Sequence, residues 1–259
     1  MTMKLSELSP KVQEAVAAAR REVCDLHAEL PANGLVVWTA GNVSQRVAGA
    51  DLFVIKPSGV RYDELTPEKM VVCTLDGNKI EDGTADALSP SSDTAAHAYV
   101  YRHMPEVGGV VHTHSPYACA FAAVHRPIPC VLTMMADEFG GDVPVGPFAI
   151  IGDDSIGRGI VATLAQSRSP AVLMGNHGPF TVGKDATAAV KAAVMVEEVA
   201  KTVAIAEGLG TPRPIAQEHI DSLYARYQNV YGQADDADGA AGAVDGAGAD
   251  GVVKDEADE

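Results

Sequence analysis

Short apolar runs rich in β-forming residues alternate with helix-periodic segments along most of the chain. The strand-like runs lie at 35–38, 52–55, 70–75, 107–111 and 171–175. Helical patterns begin after Ser9 and Pro10, recur near Ser92, and extend over 155–166 and 185–207. Because turn signals such as Asp76-Gly77 favour hairpins, the alternation predicts an α/β domain layered around one mixed or largely antiparallel sheet.

The composition excludes several classes of protein. A net charge of −16 argues against nucleic-acid binding, which depends on Lys and Arg side chains that neutralise phosphates. No apolar run approaches the ~20 residues that a bilayer requires. The polar first ten residues also lack the apolar core of a secretory signal. We therefore expect a cytosolic protein with neither a nucleic-acid nor a membrane partner.

The composition changes abruptly near the C-terminus. From Gln233 the chain consists of Ala, Gly and acidic residues with no aromatic residue, and its nine acids and one lysine give a charge of −8. Such a segment cannot bury enough apolar surface to offset the entropy of ordering. We predict a single folded domain over residues 1–232 and a disordered acidic tail over 233–259.

Three histidines follow predicted strands. Alternate residues of a strand share a face, so His112 and His114 are spaced to bind one metal ion. The same pair is also compatible with two half-exposed polar histidines at a strand end. His177 supplies a third candidate ligand, because it follows the apolar run 171–175 in a turn that Gly175 and Gly178 permit.

The remaining histidines and the cysteines carry no such signal. We assign most of the other histidines to helix surfaces or loops; they are His27, His97, His103, His125 and His219. The four cysteines have no CxxC spacing and lie in apolar stretches, so we expect buried free thiols; they are Cys24, Cys73, Cys119 and Cys130.

Two polar segments admit both a structural and a functional interpretation. Asp93 lies in PSSDT at a predicted helix start, where it is either a plain cap or a residue that reaches toward a metal. In the second case Ser91 and Ser92 leave helix N–H groups for a phosphate. The segment KPSG (56–59) is either a turn that ends a strand or a phosphate loop with a cation.

Five motifs, taken in order, resemble those of the class II aldolase/adducin-head family. They are GNVS (41–44), KPSG (56–59), SSDT (91–94), HTHS (112–115) and NHGPF (176–180), and the resemblance spans residues 10–232. It implies a three-layer α/β/α domain with a central, mostly antiparallel sheet. It also implies one divalent metal ion, normally zinc, and a homotetramer with active sites between neighbouring subunits.

The resemblance assigns roles to individual positions. The implied metal ligands are Asp93, His112, His114 and His177. The implied binding site for a sugar phosphate comprises Gly41, Asn42, Lys56, Ser58, Gly59, Ser91 and Ser92. The implied catalytic residues, which serve the site of an adjacent subunit, are Asp137 and Tyr231.

Within the family, three features resemble the epimerases that invert C4 of L-ribulose 5-phosphate. These are Asp93, where the aldolases usually carry Glu, together with Ala136-Asp137 and Tyr231-Gly232-Gln233. They imply formation of D-xylulose 5-phosphate by cleavage and re-formation of the C3–C4 bond. Asp137 and Tyr231 would then share the acid/base role on the two faces of the released aldehyde.

Two differences from the epimerases leave other functions as alternatives. The segment 143–157 is shorter than its epimerase counterpart and resembles that of the aldolases, and the family's histidine before Tyr231 has only His219 as an approximate match. A sugar-phosphate aldolase and a non-catalytic, adducin-like interaction domain therefore remain alternatives. In purely structural terms, Asp137 would cap a turn and Tyr231 would pack the end of the last helix.

Overall fold

The computed structural model describes residues 3–230. Seven α-helices lie in this range: α1 (Pro10–Ala32), α2 (Thr94–His103), α3 (Pro116–Ala123), α4 (Thr133–Phe139), α5 (Ser155–Leu164), α6 (Ala186–Leu209) and α7 (Gln217–Val230). The strands of the same range are β1 (Asn42–Arg46), β2 (Leu52–Ile55), β3 (Val71–Thr74), β4 (Gly109–His112), β5 (Val145–Gly146), β6 (Ala171–Met174) and β7 (Gly178–Gly183). Tyr231 and the predicted tail lie outside the described residues, so the domain boundary stays a prediction.

The strands form one sheet in the order β3-β2-β1-β4-β7-β6-β5. Every neighbouring pair is antiparallel except β5 and β6, which run parallel. The prediction of a mostly antiparallel sheet is therefore confirmed. The register between β1 and β4 places Asn42 opposite His112, which brings two of the sequence motifs together at one end of the sheet.

Alternate strand residues face two different layers of helices. In β2, Leu52 and Val54 pack into a core with residues of α1 and α6. Phe53 and Ile55 point the opposite way, into a core with residues of α2 and α5. This alternation is what a sheet buried on both faces requires, and the predicted three-layer α/β/α architecture is confirmed.

The helix starts follow the expected capping chemistry. Ser9 precedes α1, and its hydroxyl accepts a hydrogen bond from Val12 N–H, while Pro10 occupies the first helical position. Asp185 caps α6 by accepting from Ala188 N–H at 2.7 Å. Among residues 3–230, no helix is both long and apolar enough to cross a membrane.

The predicted strand at 35–38 is wrong, because this segment forms an irregular connection. Leu35 is buried and its carbonyl accepts from His114 N–H, but the chain then turns, with Ala40 N–H donating to Val37 O. Trp38 adopts a left-handed backbone conformation with a φ of 60°. The apolar run is thus interrupted by a turn, and only its first residue enters the core.

The prediction of a surface or loop position is wrong for His27 and His97, which are both buried. His27 continues the apolar face of α1 one turn after Val23, and its Nδ1 bonds Val23 O at 2.5 Å. Its Nε2 accepts from Val43 N–H at 3.0 Å. Burial lowers the pKa of His27 to about 3, so the ring is neutral. His27 therefore joins α1 to β1.

All four cysteines are free thiols. Burial is complete for Cys73 and Cys130, whereas Cys24 and Cys119 are only partly buried. The expectation of four buried thiols is therefore correct for two of them.

Gly109 marks a close approach between the sheet and a helix. A Cβ atom at this position would lie 2.3 Å from Asp185 O and 2.5 Å from Ala186 Cα. We expect Gly109→Ala to lower the free energy of unfolding by about 1–3 kcal/mol or more, because backbone must move to make room. Gly208→Ala is the matched control, since its Cβ meets nothing within 4 Å. Chemical denaturation of both variants measures the difference, and equal stability contradicts the prediction.

Candidate active site

A cleft of about 290 Å³ opens at the end of the sheet where β1, β4 and the start of α2 meet. Eleven of the thirteen predicted site residues line it. These are Gly41, Asn42, Lys56, Ser58, Gly59, Ser91, Ser92, Asp93, His112, His114 and His177. Asp137 does not line this cleft, and Tyr231 lies outside the described residues.

The three histidines converge within the cleft. One nitrogen from each of His112, His114 and His177 lies within 4.8 Å of the other two, and the Nε2 atoms of His112 and His114 are 2.9 Å apart. β4 ends at His112, and the tight turn between β6 and β7 places His177 opposite it. In this turn a Cβ at position 178 would lie 2.8 Å from Thr113 O, so Gly178 is required for the close approach.

The tautomer and the charge of His112 are those of a metal ligand. Its Nδ1 is 3.0 Å from Pro179 O, and a carbonyl can only accept, so Nδ1 carries the proton and Nε2 keeps a free lone pair. Burial is the main cause that lowers the pKa of His112 to about 3. Burial also lowers the pKa of His177. Both rings are therefore neutral at pH 7, as coordination requires.

Asp93 adds a carboxylate beside the histidines. Its side chain makes no capping bond to α2, and its Oδ2 instead accepts from Asn42 Nδ2 at 2.7 Å. Burial alone would raise the pKa of Asp93, but His112, His97 and the Asn42 hydrogen bond together lower it. Although His112 is neutral at pH 7, the Asn42 hydrogen bond still favours the carboxylate at that pH.

The donor set fits a divalent metal. The Oδ1 atom of Asp93 is buried and has no hydrogen-bond partner within the described residues. Three neutral imidazoles and one such carboxylate oxygen are the ligand types that zinc binds in catalytic sites. These four residues could therefore hold a metal ion.

Lys56 places a cation in the wall of the same cleft. The residue is 2% exposed, and its Nζ donates to Thr39 O at 3.2 Å and to Pro57 O at 3.4 Å. The ammonium group also lies 5.3 Å from the centre of the Tyr62 ring. None of the salt bridges between residues 3 and 230 involves Lys56. Burial lowers the pKa of Lys56 to about 8. A buried cation without a carboxylate partner is suited to an anionic ligand.

The other predicted phosphate residues line the same cleft as this cation, and some of their hydrogen-bonding groups already have partners within the protein. Ser91 Oγ accepts from Asn42 Nδ2 at 3.0 Å and from Asp93 N–H at 3.3 Å, so this hydroxyl also shapes the turn before α2. Gly59 has a φ of 69°, which lets the chain turn beside the cleft. Gly41 has a φ of 80°, and a Cβ there would lie 2.9 Å from His112 O.

Asp137 lies apart from the cleft. Asp137 does not cap a turn, because it lies within α4, which ends at the left-handed Gly140. Its Oδ1 is 3.7 Å from Arg226 of α7, and its side chain is 19% exposed. Several residues of the segment TMMADEF favour a helix, but the two glycines that follow it indicate a loop in the sequence. Tyr231 comes directly after the last described residue of α7.

Four cleft residues were not predicted from the sequence: Thr39, Ala40, Pro57 and Ile151. Thr39 and Pro57 contribute backbone carbonyls to Lys56, and such contacts leave no mark on residue type. Ile151 is 45% exposed at the rim. The sequence around Ile151 carries no feature that marks it as a site residue.

Comparison with known proteins identifies the family. Residues 21–204 match the Class II Aldolase and Adducin N-terminal domain. The curated L-ribulose-5-phosphate 4-epimerase UlaF of Salmonella paratyphi C (strain RKS4594) is 42% identical over 199 residues, which cover 73% of this chain and 86% of that relative. The protein of the same name from Salmonella choleraesuis (strain SC-B67) has the same identity and coverage.

Solved structures share the fold. An L-fuculose 1-phosphate aldolase superposes with a TM-score of 0.75 at 25% identity, covering 82% of this chain and 96% of that one. YgbL from Klebsiella pneumoniae superposes with a TM-score of 0.70 at 29% identity, covering 80% and 98%. The sequence match includes every motif that lines the cleft, and the chain belongs to the class II aldolase and adducin N-terminal domain family.

Proposed function

We propose that this chain is a metal-dependent epimerase that converts L-ribulose 5-phosphate to D-xylulose 5-phosphate. The observation that carries the proposal is the union, in one cleft of about 290 Å³, of the three histidines and Asp93 with the buried Lys56. A ligand bound there meets both a candidate metal site and a buried cation. The 42% identity to curated enzymes named L-ribulose-5-phosphate 4-epimerase supports this choice of substrate.

The metal site is assigned to His112, His114 and His177, with Asp93 as a fourth or outer ligand. Zinc is the proposed ion, because nitrogen-rich sites of this kind suit it, although the site can accept other divalent metals. When bound, such an ion supplies a Lewis acid that stabilises negative charge on substrate oxygens. The chain's own part is to keep the imidazoles neutral and oriented, as the His112 bond to Pro179 O does.

The substrate phosphate is assigned to the part of the cleft that Lys56 lines. Lys56 provides the charge, and Ser58, Gly59, Ser91 and Ser92 line the same cleft together with Gly41 and Asn42. Anchoring the phosphate there holds the sugar so that its carbonyl end faces the histidines. Binding energy at the phosphate thus orients the bond that reacts.

Two acid/base groups are assigned to Asp137 and Tyr231. One group removes the proton from the C4 hydroxyl as the C3–C4 bond breaks, which leaves a three-carbon enediolate and glycolaldehyde phosphate. The aldehyde rotates, the C3–C4 bond re-forms on its other face, and the second group returns a proton to the C4 oxygen. Asp137 does not line the cleft of its own chain, so the assignment requires a neighbouring subunit. We therefore also propose a homotetramer with active sites between subunits, working in the cytosol.

An aldolase on the same scaffold is the second candidate, since an L-fuculose 1-phosphate aldolase shares the fold with a TM-score of 0.75. Incubation of the zinc-loaded protein with ¹³C-labelled L-ribulose 5-phosphate, followed by NMR, separates the two. The epimerase account predicts D-xylulose 5-phosphate with no accumulation of glycolaldehyde phosphate. Net cleavage would favour the aldolase, and no turnover would favour an adducin-like interaction domain.

Replacing Lys56 tests the phosphate site. We expect Lys56→Ala to lower kcat/KM for L-ribulose 5-phosphate by roughly 10- to 150-fold, since a hydrogen bond to a charged group contributes about 1.5–3 kcal/mol. Unphosphorylated L-ribulose should lose far less. Lys69→Ala is the matched control, because Lys69 is a partly buried lysine that does not line the cleft and whose Nζ donates to Glu64 O. Equal losses for the two substrates would indicate a structural lysine instead.

The pH dependence of the same variants provides a second measurement. The pKa of Lys56 is lowered to about 8, so its charge is lost as the pH rises through that value. KM for the phosphorylated substrate should therefore rise above about pH 8 in the wild type. Lys56→Arg should remove this rise, because a guanidinium stays charged in that range.

A further inference from the structure

A row of polar side chains joins β1 to α2 and begins at the cleft. The β1 members occupy alternate positions and therefore share one face of the strand. The other members are the N-cap residue of α2 and two residues within that helix, spaced by four positions, and they therefore share one face of it. Together they form what we term the polar ladder: Asn42, Ser44, Arg46, Asp93, His97 and Tyr101.

The ladder is held by consecutive contacts. After the Asn42 bond to Asp93, the next rung joins Ser44 Oγ to His97 Nδ1 at 2.7 Å. Ser44 Oγ also lies 2.8 Å from Tyr101 Oη. The ladder ends where the Arg46 guanidinium lies 5.0 Å from the centre of the Tyr101 ring.

The middle of the ladder is fully buried. Ser44, His97 and Tyr101 are at most 1% exposed, and Tyr101 belongs to the apolar core beneath α2 and α5. Polar groups in such a place destabilise a protein unless they are hydrogen-bonded, and apolar residues of similar volume would serve packing alone. The presence of polar side chains at all three positions therefore indicates a role beyond packing.

The hydrogen bonds of the ladder are incomplete only toward the cleft. Three of its buried polar atoms have no hydrogen-bond partner in the part of the chain that the structure describes: Asn42 Oδ1, Asp93 Oδ1 and His97 Nε2. The Ser44 and Tyr101 hydroxyls at the other end are both bonded. The unpartnered atoms thus belong to Asp93, a proposed metal ligand, and to Asn42 and His97, the ladder members next to it.

The protonation of His97 follows from its surroundings. Burial lowers its pKa to about 4, against an opposing effect of the Asp93 carboxylate, so the ring is neutral at pH 7 and carries one N–H. If Tyr101 donates to Ser44 and Ser44 donates to His97 Nδ1, the proton lies on Nε2. In the reverse order Nε2 would carry a lone pair in a ring that lies one helical turn from the negative Asp93, which is electrostatically less favourable.

We propose that His97 is a positioning residue for Asp93. Ser44 and Tyr101 hold the ring in one orientation and one tautomer, and the Nε2–H group stabilises the Asp93 carboxylate in the position that favours metal coordination. His97 itself touches neither metal nor substrate. The inference rests on the proposed metal site, and it adds a buried support that reaches 8 residues along α2, from Asp93 to Tyr101.

Two substitutions at the same position separate positioning from packing. In His97→Gln the side-chain NH₂ takes the place of the Nε2–H donor. In His97→Asn the shorter amide reaches only the position of Nδ1, so it can bond Ser44 but supplies no donor in place of Nε2–H. We expect His97→Asn to weaken zinc affinity by about 10- to 100-fold and His97→Gln by no more than about threefold. Competition with a chromophoric chelator measures zinc affinity without any need for turnover.

Thr181→Val provides the control for stability. Thr181 is buried in β7 and its hydroxyl donates to Ala189 O at 2.7 Å, so the variant loses a buried hydrogen bond away from the ladder. It should lower the melting temperature and leave zinc affinity unchanged. Equal affinity in the two His97 variants, or a weaker affinity in His97→Gln than in His97→Asn, would overturn the positioning role. A wild-type chain that binds no zinc would overturn the proposed function first, and this inference with it.

Discussion

Replacing His112 with alanine should reduce turnover by at least about 10³-fold and remove the bound metal. The imidazole is one of three nitrogen ligands, and a catalytic metal contributes several kcal/mol of charge stabilisation that disappears with it. His114→Ala should have the same effect. Because His114 is exposed at the cleft, its loss should barely affect folding, so a loss of activity in that variant cannot come from misfolding.

A histidine outside the cleft serves as the matched control. His103 lies at the end of α2, where its Nδ1 bonds Tyr99 O and its ring stacks on Tyr99. His103→Ala should retain both zinc and activity. Metal content by elemental analysis and steady-state kinetics measure all three variants. Full activity in chelator-treated wild-type protein, or in either cleft variant, would contradict the assignment.

Removal of the two acid/base groups should have the second large effect. We expect Asp137→Asn and Tyr231→Phe each to lower the rate of epimerisation by about 10²- to 10⁴-fold, the range that a general acid or base contributes. Zinc affinity and tetramer assembly should be unchanged in both variants. Mixing Asp137→Asn subunits with His112→Ala subunits should restore part of the activity, because a hybrid assembly contains some sites with both residues intact.

The neighbours of these residues provide the controls. Glu138 follows Asp137 on α4 and pairs with Lys191 at 2.8 Å, so Glu138→Gln should alter stability more than chemistry. Tyr224 of α7 packs against Gly140, and Tyr224→Phe keeps that packing. Unaltered epimerisation in Asp137→Asn and Tyr231→Phe, or losses equal to those of the controls, would contradict the acid/base assignment.

Local patterns were sufficient to predict most of the fold. Ser9 and Pro10 mark the start of α1 because capping depends only on neighbouring residues. The run 52–55 becomes a strand whose residues alternate between two cores. The run 35–38 has a similar pattern in the sequence but forms no strand. A strand needs a neighbouring strand whose backbone N–H and C=O groups are still unpaired. β1 is already paired on both sides, by β2 and β4.

The site was predictable where spacing along the chain determines geometry. His112 and His114 share a face because strand residues alternate, and a glycine turn brings His177 back to them. The buried position of His97 was not predictable, because it depends on which face of α2 meets β1. A histidine four residues after Asp93 has no sequence feature that separates it from a surface histidine. Its hydrogen bond to Ser44 joins residues that are 53 positions apart.

Crystals of the zinc-loaded protein, measured at the zinc absorption edge, show where the metal ion binds. We expect one anomalous peak per chain between the imidazoles of His112, His114 and His177, at about 2.0–2.1 Å from one nitrogen of each. Asp93 Oδ1 should be the nearest carboxylate oxygen. A zinc ion bound elsewhere, or a cleft in which these histidines only hydrogen-bond to one another at full zinc occupancy, would contradict the assignment of the metal site.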